Sequence, residues 1–447
     1  MLAQPPRPGN PGNPGNPLIR FAVVTVLTGI GAGLGGMALA LLLHFIQHVA
    51  YGYSITHLVG HESFYEGVEA ASAGRRVAVL ALCGLIAGCG WFVIYRYGRP
   101  LVSIKKAVAS DDPRMPPVTT TAHALLQIIT VALGSPLGRE VAPREIGSLL
   151  AGWLSHYAGL TVEQTRLMVA CGAGAGLAAV YNVPFGGAIF VLEVLLRSFE
   201  LRVVIPALVT SVIAAVVAWL GLGDESQYVV PHFGLSANLV TWSIVTGPLF
   251  GVAAFVFVQL TTKARAAAPK GWTLPLFSLV NFVIIGLLAV SFPQILGNGK
   301  TPAQLGFSNE LTIGLAATLL VIKVAITASS LRAGAQGGLL TPGMSNGALL
   351  AIVLGGIWTL MWPGTPMGAF AIVGATAFLA SSMKMPITAL VLMVEFTRVD
   401  HDFIVAMLCA VAGSIATNRL LELRMQAQQA RSSTASSELK GGAISRG

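Results

Sequence analysis

From Phe21 to Leu423 the chain is a succession of apolar runs separated by short loops. Runs near 20 residues without charge are long enough to cross the roughly 30 Å hydrocarbon core of a bilayer, where every backbone N–H and C=O must be satisfied within the protein. Residues 21–45, 77–95, 203–222, 239–260 and 274–292 are of this kind, and 311–331 and 403–423 depart from it only by Lys323 and by Arg419 and Glu422 near the end of the last. Only 10% of the 447 residues are charged and 54% are hydrophobic, against about 25% charged in soluble domains. An all-α, polytopic membrane protein is the fold class these facts select.

Charge supplies the orientation. Twenty-seven Lys and Arg against 18 Asp and Glu leave a net +9, which in a soluble chain would point to nucleic acid. Here the basic residues gather in loops 96–106, 197–202, 263–270 and 419–431, while loop 221–234 is acidic. Cytoplasmic loops carry the excess of Lys and Arg, so the basic loops and both termini are expected in the cytoplasm, with the chain in the cell's inner (plasma) membrane. No nucleic-acid partner is expected. Arg75 and Arg76 break the rule, because this topology puts them near the outer side. Four cysteines inside apolar runs, with no metal-ligand spacing, read as core residues, and neither metal nor cofactor is expected.

Two segments interrupt the pattern. Residues 134–147, GSPLGREVAPREIG, lie between apolar elements (122–133 and 140–154) too short to span. They set Arg139 and Glu140 at membrane depth, where a charge costs about 2.5–3.5 kcal/mol on insertion scales. Gly134, Pro136 and Gly138 break one helix, and Glu140 stands where the next begins. A helix N-terminus carries free N–H groups and about half a positive charge, so it attracts anions. The segment therefore reads as one wall of an anion pathway, with Glu140 as a competing, protonatable anion. An ion pair of Glu140 with Arg139 or Arg144, or a pair made by Glu145, is the structural alternative. Farther on, residues 334–342 (GAQGGLLTP) form a second break, in which Gly337 and Gly338 let backbone approach closely and Leu339, Leu340 and Thr341 offer the first N–H groups of a helix. Short elements 339–354, 368–380 and 386–396 follow it.

The breaks belong to an internal repeat. Residues 171–194 align without a gap on 373–396 at an offset of 202, as from Pro184 to Pro386. Glu193 and Glu395 coincide too, each ending an apolar helix, and a shared structural role at a neighbouring turn is expected of them. Paired Gly/Pro-interrupted segments in two halves are the best sequence pointer to a transporter's substrate site. Four regions follow: a disordered Pro/Gly/Asn terminus (1–17), membrane repeats at 18–222 and 223–425, and a disordered polar tail (426–447). Residues 46–76, with His57, His61, Glu62 and Glu66, read as an outer loop or lid, and Thr161 with Gln164 as a capping box.

Two motifs mislead. Gly299-Lys300-Thr301 looks like the end of a P-loop, but the glycine needed upstream would fall at Gln294. Residues 343–347 fit GxSxG, yet a Ser345 hydrolase requires a strand–turn–helix context, and no His or Asp partner stands out. The chain is not expected to be an enzyme, and an intramembrane serine hydrolase is the remote alternative.

The breaks and repeat together resemble the CLC family of chloride channels and proton-coupled anion exchangers. GSPLGREVAPREIG is similar to that family's GREGP region, and YNVPFGGAIFVLEV, FPQILGNG, GGLLTPGMSNGALL and MPITALVLMVEFT match further family segments in order, from about Phe21 to Met425. The resemblance implies a homodimer in the lipid bilayer with one pore per subunit, each built of two inverted halves with broken helices. It implies chloride or a similar small anion as cargo, Glu140 as the gating glutamate, and anion coordination near Arg139–Val141 and at Leu339 and Leu340.

There are departures. Val141 and Ala142 replace the family's Gly and Pro, with Pro143 one place later. RPLVSI matches the first family motif poorly, leaving Ser103 as the candidate hydroxyl at the central anion. No tyrosine follows Tyr228, so the family's pore tyrosine is missing. Val194 stands where many exchangers carry an internal proton-accepting glutamate, which favours a channel or weakly coupled carrier. A proton-coupled exchanger, or a carrier of fluoride or nitrate, is the alternative.

Overall fold

The computed structural model describes residues 16–53 and 63–444, with backbone alone for 430–444. Residues 1–15, expected to be disordered, and His57, His61 and Glu62 of the expected lid fall outside that range. The first half comprises α1 (Pro17–Tyr51), α2 (Phe64–Ala70), α3 (Ala73–Tyr97), α4 (Ile104–Ala109), α5 (Pro117–Ala132), α6 (Val141–Tyr157), α7 (Val162–Tyr181), α8 (Pro184–Phe190, running on as a π-helical turn Val191–Leu196) and α9 (Leu201–Leu222). The second comprises α10 (Ala237–Ala266), α11 (Leu274–Ser291), α12 (Lys300–Phe307), α13 (Ile313–Arg332), α14 (Leu340–Trp358), α15 (Met367–Met383), α16 (Pro386–Thr397) and α17 (Phe403–Ile444).

Among the described residues eight helices are long and apolar enough to cross a membrane. The sequence predicts only a short element in place of one of them, α14. Its most apolar window is 78% buried, against 33–44% for the other seven, so it runs through the protein interior rather than along lipid.

Several boundaries differ from expectation for local reasons. Helix α1 starts at Pro17, inside the stretch expected to be disordered, because Asn16 accepts the Leu18 N–H at 3.0 Å and proline suits the first helical position. It runs on to Tyr51 and stops at Gly52 in the left-handed region, φ 83°. Part of the expected lid is helix α2, opened by a reciprocal Ser63–Glu66 capping box. The same device opens α7 at Thr161 and Gln164. Helix α17 continues past Gln426 to Ile444, where a disordered tail is expected; the Gln, Ala, Glu and Lys there are good helix formers.

Arg75 and Arg76, the exceptions to the charge rule, are consumed by helix ends. Arg75 donates to the Val49 and Ala50 carbonyls at the end of α1 (2.8 and 2.7 Å). Arg76 donates to Glu69 and Ala71 beside α2 and to Ala289 of α11 (2.7, 3.1 and 3.1 Å). Cations at unsatisfied C-terminal carbonyls are favourable.

Contacts at the two ends of the molecule show that the halves run in opposite senses. At one end Arg20 of α1 donates to Ala158 after α6 (3.3 Å), and Arg202 of α9 meets Glu163 of α7 (3.8 Å). At the other end Asn238 of α10 donates to Trp362 after α14 (2.9 Å), and the Gly368 N–H of α15 donates to Asn309 (2.6 Å). Trp219 of α9 and Asn182 after α7 also meet, at 2.7 Å, and Asn182 reaches Asp224 in the loop before α10 at 2.8 Å. So α1, α7 and α9 start where α6 ends, and α10 and α15 start at the opposite end. The repeat extends to the backbone. Asn182 and Lys384, 202 apart, both stop their helices in the left-handed region (φ 54° and 56°), and so do Arg197 and Arg398, 201 apart (φ 52° and 49°). The π turn in the first copy accommodates the one additional residue.

Backbones approach closely where glycines face one another. A β-carbon on Gly147 of α6 would overlap the Gly172 carbonyl of α7, and one on Gly176 would overlap that of Pro143. This small-residue contact brings α6 and α7 together and fixes where α6 begins.

Candidate functional site

The two breaks meet. Gly138 and Gly338 form an antiparallel pair, each N–H donating to the other's carbonyl at 2.8 and 2.9 Å. One helix leaves each side of this pair: α6 from Val141, with Glu140 as its N-cap residue, and α14 from Leu340, with Leu339 as its N-cap residue. Two helix N-termini are thereby set facing one small space in the interior.

Glu140 fills that space. It is fully buried, and its Oε1 accepts the Leu340 N–H at 2.8 Å. β-Carbons on Gly138 or Gly338 would overlap its carboxylate, so both positions admit only glycine while the carboxylate lies here. Gly337 packs against Leu137 in the facing break. Neither ion pair offered as the structural alternative for Glu140 forms among the described residues. Arg144 donates instead to the Glu140 backbone carbonyl (2.8 Å), and Arg139 lies 5.2 Å above the Tyr181 ring and donates to the Gln227 amide oxygen at 3.2 Å. A guanidinium partnered by an amide and an aromatic face keeps its field available. With two helix dipoles it makes an electropositive centre, and the group seated in it is a carboxyl side chain of the protein.

Glu145, for which a structural pair is the alternative reading, pairs with His123 of α5 (2.8 Å) and accepts from Gln127 (3.2 Å). Glu193 and Glu395 have the structural role expected of them. Each accepts backbone N–H groups at the start of the other copy's helix, Ile387 and Thr388 for Glu193, Phe185 and Gly186 for Glu395. Val194 falls within the π turn.

The structure thus gathers Gly138, Arg139, Glu140, Val141, Gly337, Gly338, Leu339 and Leu340. It does not bring Ser103 to them. That hydroxyl opens α4, accepting the Lys106 N–H at 3.3 Å, and its side chain is exposed. Ser345 lies inside α14, fully buried, rather than on an exposed turn. The residue missed from sequence is Tyr181: its hydroxyl is 3.5 Å from Glu140 Oε2 and 3.3 Å from Thr341 Oγ1. Its signal is its place, at the end of a Gly/Ala-rich helix just before the repeated proline.

A polytopic bundle with two opposed broken helices and a buried carboxyl group on a helix N-terminus defines a membrane protein organised around a polar centre in its interior. The chain belongs to the voltage-gated chloride channel family, whose model matches residues 80–419. It is 30% identical over 362 residues to a putative chloride channel protein ClcB-like of Ralstonia nicotianae, covering 76% of this chain and 82% of that one. A voltage-gated ClC-type chloride channel ClcB of Salmonella typhimurium is 26% identical over 416 residues (90% and 97%). Among solved structures, a slow cyanobacterial Cl−/H+ antiporter superposes with a TM-score of 0.76 at 18% identity, covering 90% of this chain and 95% of that one.

Proposed function

We propose that the protein carries chloride or a similar small anion across the inner (plasma) membrane, gated by Glu140, with both termini in the cytoplasm. The observation that carries this reading is the 2.8 Å bond from the Leu340 N–H to Glu140 Oε1. While ionised, the carboxylate occupies the position an anion would take. Protonation removes its charge, weakens its hold on the helix N-terminus and frees that position. On this account the chain is a transporter rather than an enzyme, and it works as a homodimer with one pore per subunit. The relatives support the cargo: two are named as chloride channel proteins and the structural neighbour as a Cl−/H+ antiporter.

Val194 supports channel-like or weakly coupled transport, since it offers no carboxylate to relay protons. Two measurements on reconstituted vesicles test the proposal. Chloride efflux dependent on the protein, slowed by competing small anions, is expected; its absence contradicts the assignment. Uphill proton movement driven by a chloride gradient contradicts the weak-coupling part and favours the exchanger.

A further inference from the structure

The carboxylate of Glu140 has two sides. Oε1 takes the Leu340 N–H, while Oε2 faces a pair of hydroxyls contributed by different halves of the repeat: Tyr181 Oη at 3.5 Å and, 3.3 Å beyond it, Thr341 Oγ1. Both side chains are buried to 3% exposure. The Tyr181 ring is fixed by the Arg139 guanidinium above it (5.2 Å) and by the edge of Phe396 (5.5 Å, 66°). Its helix ends there, at left-handed Asn182. Thr341 follows Leu340 in the first turn of α14, so its hydroxyl stands beside the helix N-terminus. The separations exceed the usual 2.7–2.8 Å for O–H···O. That leaves room for an ion larger than a carboxylate oxygen, and rotation of either hydroxyl would aim a donor into it.

We propose that Tyr181 and Thr341 are anion ligands: when Glu140 withdraws, their O–H groups and the Leu340 N–H together hold the anion that replaces it. This supplies, from the first half of the chain, a hydroxyl donor to a pathway that has no tyrosine after Tyr228. The inference rests on the gate reading and names further ligands of that same site.

The test is chloride binding to purified protein by calorimetry, in a Glu140→Ala background that empties the carboxylate position. The parent is expected to bind chloride, and Tyr181→Phe, which removes only the hydroxyl, to weaken it by about ten- to a hundredfold, the value of one hydrogen bond to a charged group. Thr341→Val is expected to act in the same direction, and Thr341→Ser, which keeps the donor, to bind as the parent does. Affinities within twofold of the parent for both Tyr181→Phe and Thr341→Val overturn the proposal while leaving the gate reading intact. A parent that binds no chloride overturns both.

Discussion

Glu193 and Glu395 cap each other's halves of the molecule. Glu193 takes the N–H groups of Ile387 and Thr388 at 3.0 and 2.7 Å, and Glu395 takes those of Phe185 and Gly186 at 2.9 and 2.6 Å. Each donor in one set lies 202 residues from its counterpart in the other, as the glutamates do. A contact in which i meets j and j' meets i' is the mark of two-fold symmetry. The Gly138–Gly338 pair has the same reciprocal form, so one pseudo-two-fold relation joins the frame to the site.

Replacing either glutamate by glutamine removes the charge from a pair of charge-assisted bonds at a helix N-terminus. Each of Glu193→Gln and Glu395→Gln is expected to lower stability by about 1.5–3 kcal/mol. Glu193→Gln is expected to cost somewhat more, because Glu193 also accepts the Thr388 hydroxyl at 2.6 Å. Thermal unfolding of the purified protein reads this, and an unchanged midpoint for both contradicts the symmetric capping.

Gly338→Ala is expected to displace the gate and to obstruct the position it leaves. The added methyl overlaps the Glu140 carboxylate, and the side chain is the more mobile of the two. The methyl then stands where the replacing anion would sit, so chloride flux should stay well below that of Glu140→Ala and lose most of its pH dependence, as measured by vesicle efflux. A variant that folds and keeps the wild-type pH dependence contradicts the position assigned to the carboxylate.

The buried pair of His123 and Glu145 predicts strong non-additivity. His123→Leu leaves the Glu145 carboxylate with the Gln127 amide alone and is expected to destabilise by about 3–5 kcal/mol. Adding Glu145→Met removes the stranded charge, so the double variant should recover much of the loss. A double variant no more stable than His123→Leu contradicts the pairing.

Much of this was legible in the sequence because it is written in local chemistry. Apolar length marked the spans, Gly and Pro marked the breaks, and a charge at membrane depth marked Glu140. The repeat of Pro184 and Glu193 at Pro386 and Glu395 announced the two halves. What stayed hidden depends on which elements meet. Nothing local tells Tyr181 that its hydroxyl will face Glu140, since that is decided by how α7 packs on α6 through Gly147 and Gly172. Arg75 and Arg76 look like misplaced loop charges until the carbonyls at the ends of α1 and α11 lie beside them. Ser103 erred the other way: a hydroxyl matched to a poorly preserved motif caps its own helix and makes no contact with the centre.

Glu140 as gate is the central claim, and chloride efflux from vesicles measured against external pH tests it most directly. In wild type, flux should rise as pH falls, because protonation removes the charge that competes for the Leu340 N–H. In Glu140→Ala the competing carboxylate is gone at every pH, so flux should be high and independent of external pH. Efflux from Glu140→Ala that keeps the wild-type pH dependence contradicts the account.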